Sequence, residues 1–353
     1  MNRRDFIRGA TIVGGLAVLA SFIPSCFKRE GISELTSQDA SESFSPVLED
    51  RMDIRSTTDI SFVKTMDREE GVRRAISLLK INPVSSKSVV LKPNFNSADE
   101  TPGSTHNDTL GTLIETLYEM GAKKITLAER SGPGPSTRSN MEKKGILELA
   151  KKLDADIICL DEMGPEGWVQ VTPPESHWSN GFLFPRVYLE AECIVQTCCL
   201  KTHGFGGHFT LSLKNSVGLV PREGYNYMNE LHSSGFQRQM IAEINTAYSP
   251  DLVVLDGVDA FVDGGPARGK RVQAGVFLAG TDRVAIDAVG VAILRLHGTT
   301  REVSEGRIFD QDQIARAADL NLGIGSPEQI KLLTDDPESK AYADQVREIL
   351  ETG

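Results

Sequence analysis

Residues 193–200 read Cys-Ile-Val-Gln-Thr-Cys-Cys-Leu, a run that carries apolar or small side chains on both of its faces. Successive side chains of a strand point to opposite faces, so such a run belongs inside a sheet that is covered on both sides. Outward from it the same texture recurs at Ser88–Leu91 (SVVL), Lys124–Ala128 (KITLA), Ala155–Leu160 (ADIICL), Leu252–Leu255 (LVVL) and Val276–Ala279 (VFLA). Helical spacing lies between these runs. Asn107–Met120 places Leu110, Leu113, Ile114 and Leu117 on one stripe and ends at Gly121. Met141–Leu153, Phe236–Tyr248, Arg283–Leu296 and Gln311–Leu320 also read as helices, and Pro337–Glu351 reads as a polar surface helix. Strands alternating with helices predict an α/β domain of doubly wound, Rossmann-like type, its sheet mainly parallel with helices on both faces. Gly164–Phe184, rich in Gly, Pro and aromatic residues, reads as an insertion.

The N-terminus carries a different message. Arg3-Arg4-Asp5-Phe6-Ile7 precedes an apolar run from Thr11 to Pro24. That run is shorter than the roughly 20 residues a membrane span needs. A basic start before a short apolar core is a signal peptide, and the arginine pair resembles the twin-arginine signal. Residues 1–26 are therefore expected to be a signal read by the twin-arginine translocase. Cys26, just past the apolar run, is the expected lipid acceptor; conventional cleavage near Ala20 or Ser25, or a retained anchor, is the alternative. Residues 27–58, rich in Ser, Glu, Asp and Thr, read as a flexible linker. Residues 59–353 read as a single α/β domain with a C-terminal helix. The expected location is the periplasm or cell envelope, with a lipid anchor to the membrane.

A net charge of −11 argues against a general nucleic-acid binder, which needs a positive field. The five cysteines, Cys26, Cys159, Cys193, Cys198 and Cys199, form no C-x-x-C pair. An iron–sulfur cluster, which needs closely spaced thiolates, is not expected. No other cofactor is assigned.

In an open parallel sheet ligands bind beyond the carboxyl ends of the strands. The residues following the strand-like runs are Lys92-Pro93-Asn94, Glu129, Asp161, Lys201-Thr202-His203, Asp256-Gly257 and Thr281-Asp282. They are expected to converge on one edge. The segment Cys193–Arg222 has no Asp or Glu but holds Lys201, His203, His208, Lys214 and Arg222. The glycines of Gly204-Phe205-Gly206-Gly207 permit close backbone approach. Thr210–Val217 reads as the start of a short helix, which suits an anion. Asp282 reads as the cap of the helix that begins at Arg283. The Gly264–Gly269 loop reads as a turn that frames the pocket.

Val90-Leu91-Lys92-Pro93-Asn94, Lys201-Thr202-His203, Thr210 with Leu213-Lys214-Asn215 and Gly218, His232, Asp256-Gly257, Gly265-Pro266 with Gly269, and Asp282 with Asp287 resemble the domain-of-unknown-function 362 family. The likeness spreads over about residues 88–325. It reinforces this choice of residues and transfers no reaction. Some relatives carry an attached ferredoxin module, whose cysteines this chain lacks.

The expected function is that of a cell-envelope enzyme acting on a small anionic substrate. Lys92, Asn94, Lys201, Lys214 and Asn215 would hold carboxylate or phosphate oxygens, with Glu129 and His232 as further ligand-binding residues. The catalytic set is Lys201, His203, Lys214 and Asp256. His203 would move a proton, with Asp256 orienting it or holding a cation. If a metal is bound, His203, Asp256 and Asp287 are the candidate ligands. A non-catalytic anion- or metal-binding protein and a structural lipoprotein are the rival readings.

Overall fold

The apolar runs form the strands, and most of them extend beyond the runs that announced them. The computed structural model describes residues 57–222 and 224–353. The signal segment, Cys26 and nearly all of the expected linker lie outside the described residues. The strands are β1 (Thr58–Lys64), β2 (Ser88–Lys92), β3 (Lys124–Glu129), β4 (Asp156–Cys159), β5 (Trp168–Val171), β6 (Phe182–Pro185), β7 (Cys193–His203), β8 (His208–Thr210), β9 (Leu252–Gly264), β10 (Gly269–Gly280) and β11 (Ile330–Leu333). The α-helices in the first half are α1 (Arg68–Leu79), α2 (Asn107–Glu119), α3 (Thr137–Lys143), α4 (Ile146–Lys152) and α5 (Arg186–Leu189). Those in the second half are α6 (Ser212–Asn215), α7 (Tyr227–Ser233), α8 (Gln237–Ile244), α9 (Arg283–Leu296), α10 (Arg301–Ser304), α11 (Asp312–Asp319) and α12 (Pro337–Thr352).

Among the described residues one nine-stranded sheet runs in the order β11-β1-β10-β9-β7-β2-β3-β4, with β8 joined to β7. The sheet is mostly parallel: β9, β7, β2, β3 and β4 pair parallel, as do β1 and β11. Alternation along β9 shows how both faces are filled. Val253 and Leu255 enter one core with α9, α11 and α12, whereas Leu252 and Val254 enter another with α1, α2 and α4. The expected mainly parallel α/β sheet with helices on both faces is the one the chain forms. A third core gathers the β5–β6 hairpin, which lies within the expected insertion, against α8.

Three expectations are corrected. Val276–Ala279 lies in β10, which runs antiparallel to both β1 and β9. The reason is the Gly264–Gly269 turn, which folds β9 back as a hairpin where a helical crossover would have kept the direction. Thr281-Asp282 therefore leave the sheet at the edge opposite the ends of β2, β3 and β7. Asp282 does cap α9, accepting from Val284 N and Ala285 N. The linker boundary also moves, because Thr58 already begins β1. Finally, α12 is more than a polar surface helix: Tyr342, Ala343, Val346 and Leu350 are buried in the core over β1 and α9.

Candidate functional site

At the carboxyl ends of β2, β3 and β7 the strands stop on charged or polar side chains that remain buried. Lys92 closes β2 and is 1% exposed. Its Nζ donates to both Glu129 carboxylate oxygens at 2.7 and 2.8 Å, to Pro93 O at 2.8 Å and to Asn215 Oδ1 at 3.1 Å. Glu129, the last residue of β3, also accepts from Phe95 N and Arg130 N at 2.9 and 2.8 Å. Asn94 Nδ2 donates to the same Asn215 oxygen at 3.0 Å. Lys201 Nζ donates to Asn94 Oδ1 at 2.9 Å and to the carbonyls of Pro102 and Gly103 at 2.9 and 2.6 Å. Asn215 Nδ2 closes the layer by donating to Thr197 O at 3.1 Å. Lys92, Asn94, Glu129, Lys201 and Asn215, read from separate stretches of sequence, are thus one hydrogen-bonded network.

The network is not uniform in charge. Lys92 faces a carboxylate; Lys201 faces only carbonyl and amide oxygens. Burial lowers the pKa of both ammonium groups, and Glu129 opposes this at Lys92. Lys214, on α6, is 7% exposed and makes no hydrogen bond or ion pair among the described residues. Burial and the charge of Lys201 bring it down to about 8. The stem of Lys214 is buried while its Nζ is not among the fully buried polar atoms left without a partner, so this ammonium is the one member of the group that no protein oxygen engages among the described residues.

Local sequence explains why Lys214 fits there. The β7–β8 hairpin turns through Gly204–Gly207, and a methyl group on Gly207 would sit 2.5 Å from Lys214 Cε and 3.2 Å from His203 Nδ1. Lys214 and His203 therefore flank the same glycine. His203 Nδ1 accepts from Phe205 N at 3.2 Å, which leaves the proton on Nε2. Burial, then Lys214 and Lys201, hold the ring well below the usual histidine range, so it is neutral. In this arrangement the neutral ring of His203 presents Nε2–H as a hydrogen-bond donor. Thr210 pairs with Lys201 across β7 and β8, and its buried hydroxyl has no partner among the described residues.

The family is settled by the stretch that contains this layer. A family model described as a domain of unknown function (DUF362) matches residues 89–292, more than half of the chain. The chain belongs to that family. It is 27% identical over 220 residues to the thylakoid-associated protein sll1697 of Synechocystis sp., a match that covers 60% of this chain. The match spans 64% of that relative's length. Among solved structures the lactate racemase apoprotein of Thermoanaerobacterium thermosaccharolyticum is similar in fold, with a TM-score of 0.44 and 13% identity. That likeness covers 83% of this chain and 86% of the other.

Not every residue singled out in this DUF362 chain joins the layer. Asp256 accepts from Arg68 Nε at 3.0 Å, Thr109 Oγ1 at 2.6 Å and Val258 N at 3.1 Å. Among the described residues it makes no hydrogen bond to His203, so it does not orient that ring. Asp287, buried on α9, accepts from Ser212 N at 2.7 Å and Leu213 N at 3.2 Å. Burial pushes it up to about 8 against the pull of those donors. These contacts also correct the reading of α6 as an anion-binding helix start, because its first N–H groups are already spent on Asp287. Among the described residues no group of three or more His, Cys, Asp or Glu is placed to hold a metal. His203, Asp256 and Asp287 are thus not gathered into one such group. His232 is exposed on α7, its Nδ1 2.6 Å from its own helix carbonyl at Met228.

Sequence reading missed Arg130, whose guanidinium donates to Ser131 O and Val217 O at 2.8 Å each. It also missed the Arg68 pairing that takes Asp256 out of the site. Arg130 directly follows Glu129, and that adjacency was the available signal. Nothing local linked Arg68 to a carboxylate 188 residues away.

Proposed function

We propose that this DUF362 protein is an enzyme that binds a small anionic substrate against Lys214, with His203 donating a hydrogen bond to it. One observation carries the reading: Lys201 and Lys214 are two buried ammonium groups that face no carboxylate among the described residues. An anion beside them would offset that charge, and hydrogen bonds to charged groups are the strong ones. Lys92 and Glu129 neutralise each other and serve as the frame. The unpartnered Thr210 hydroxyl adds a neutral donor.

The test is calorimetric binding of acetate, lactate and inorganic phosphate to the purified full-length protein. Lys214→Met keeps the stem and removes the charge. It is expected to weaken binding by about 1.5–3 kcal/mol, typical of a charged hydrogen bond. Equal affinity in wild type and variant, or no binding of any of these anions, would overturn the reading.

The location proposed for this activity is the cell envelope, after export through the twin-arginine route and lipid attachment at Cys26. The arginine pair at Arg3-Arg4 and the short apolar run support it. The name of the thylakoid-associated relative agrees with a place at a membrane. Among the described residues no helix is long and apolar enough to cross one. Changing Arg3 and Arg4 together to Lys should stop export, because a receptor reads the pair and bulk charge does not suffice. Normal export of that variant, followed by fractionation, would contradict the route.

A further inference from the structure

The geometry points to Lys214 as a covalent residue: it forms an imine with the carbonyl carbon of a small 2-oxo acid held beside His203 and Thr210. The inference rests on the anion reading above and names the substrate class for the same site.

Four observations lead to it. Lys214 is more than nine-tenths buried and has no hydrogen-bond or ion-pair partner among the described residues, whereas the donors of Lys92 and Lys201 are all engaged. A second ammonium, Lys201, stands close enough to oppose its charge. A desolvated lysine next to another cation is the arrangement that frees an amine for attack on a carbonyl. Finally, the groups around it suit the rest of a 2-oxo acid. His203 offers Nε2–H, Thr210 a free hydroxyl, and the field of Lys201 favours a carboxylate. Asp287 on α9, which reaches the start of the same helix, is occupied by Ser212 N and Leu213 N and makes no ion pair with the ammonium.

The step balances without an oxidant or reductant. The neutral amine of Lys214 adds to the carbonyl carbon, and the carbonyl electron pair moves to oxygen. The oxygen leaves as water, taking one proton from the amine and one from solvent. A protonated imine remains on Lys214. The amine must first be neutral, so adduct formation should rise with pH up to about 8 and then level off.

The experiment incubates the full-length protein with pyruvate and sodium cyanoborohydride, then maps reduced adducts by peptide mass spectrometry. The expected result is an adduct on Lys214 formed on the order of ten times faster than on exposed Lys331, as its lowered pKa would allow. Lys214→Arg, which keeps the charge, should lose the adduct and retain lactate binding. Adducts scattered according to exposure, with none favoured at Lys214, would overturn the imine. If lactate binding still depended on Lys214, the anion reading would survive that result. If neither lactate nor pyruvate engaged Lys214, both would fall.

Discussion

Lys92 and Lys214 lie in one polar region, and both are more than nine-tenths buried, yet the fold treats them in opposite ways. Lys92 is surrounded by four oxygens, two of them from Glu129. Lys214 is given none among the described residues. The difference teaches that a buried lysine at a strand edge is not in itself a binding group. Lys92 spends its charge inside the protein; the charge of Lys214 meets no carboxylate among the described residues.

The contrast can be broken most directly at Lys92. Lys92→Met leaves Glu129 without its cation in a buried setting, and stability should fall by about 3–5 kcal/mol. Urea unfolding measures this, and a loss under 1 kcal/mol would remove the frame role.

Lys214→Met should act with the opposite sign. The folded-state pKa of Lys214 lies near 8, below its ordinary 10.5. The unfolded chain therefore binds this proton more tightly than the folded one. The resulting penalty is fully present below pH 8 and fades as pH rises toward 10.5. Without ligand, the variant should be more stable than wild type at pH 7 by about 1–3 kcal/mol, with the gain gone above about pH 11. Destabilisation at pH 7 would mean that Lys214 has a structural partner after all.

Gly207→Ala sharpens the comparison with the smallest expected change. The new methyl would meet Lys214 Cε, the far part of a flexible side chain, so the lysine would shift and the backbone would not. Stability should change by less than about 1 kcal/mol, while anion affinity drops by about 1 kcal/mol. Calorimetry of the variant with acetate checks the second figure. A large loss of stability with unchanged affinity would separate Gly207 from the site.

Much of this was open to reading along the chain. Strand runs such as Cys193–Leu200 and Leu252–Leu255 lie within β7 and β9, because burial on both faces leaves a pattern within a few residues. The absence of Asp and Glu across Cys193–Arg222 marked the segment that supplies Lys201, His203 and Lys214. The strand-end rule selected Lys92, Asn94, Glu129 and Lys201, which do converge. It failed at Thr281-Asp282, because direction in a sheet depends on how the preceding strand turns. It failed differently at Asp256, whose partners Thr109 and Arg68 lie 147 and 188 residues away.

The sequence by itself determined the α/β alternation, the two-faced burial of the central strands and the residue types gathered at one edge, since each follows from local periodicity and composition. Only the tertiary structure decided which lysine is paired. Lys201 takes its oxygens from residues 98, 99 and 107 positions away, and Lys92 takes its carboxylate from 37 positions away. A side chain's charge belongs to the residue, but whether that charge is neutralised depends on which distant backbone and carboxylate oxygens the folded sheet brings within hydrogen-bonding distance.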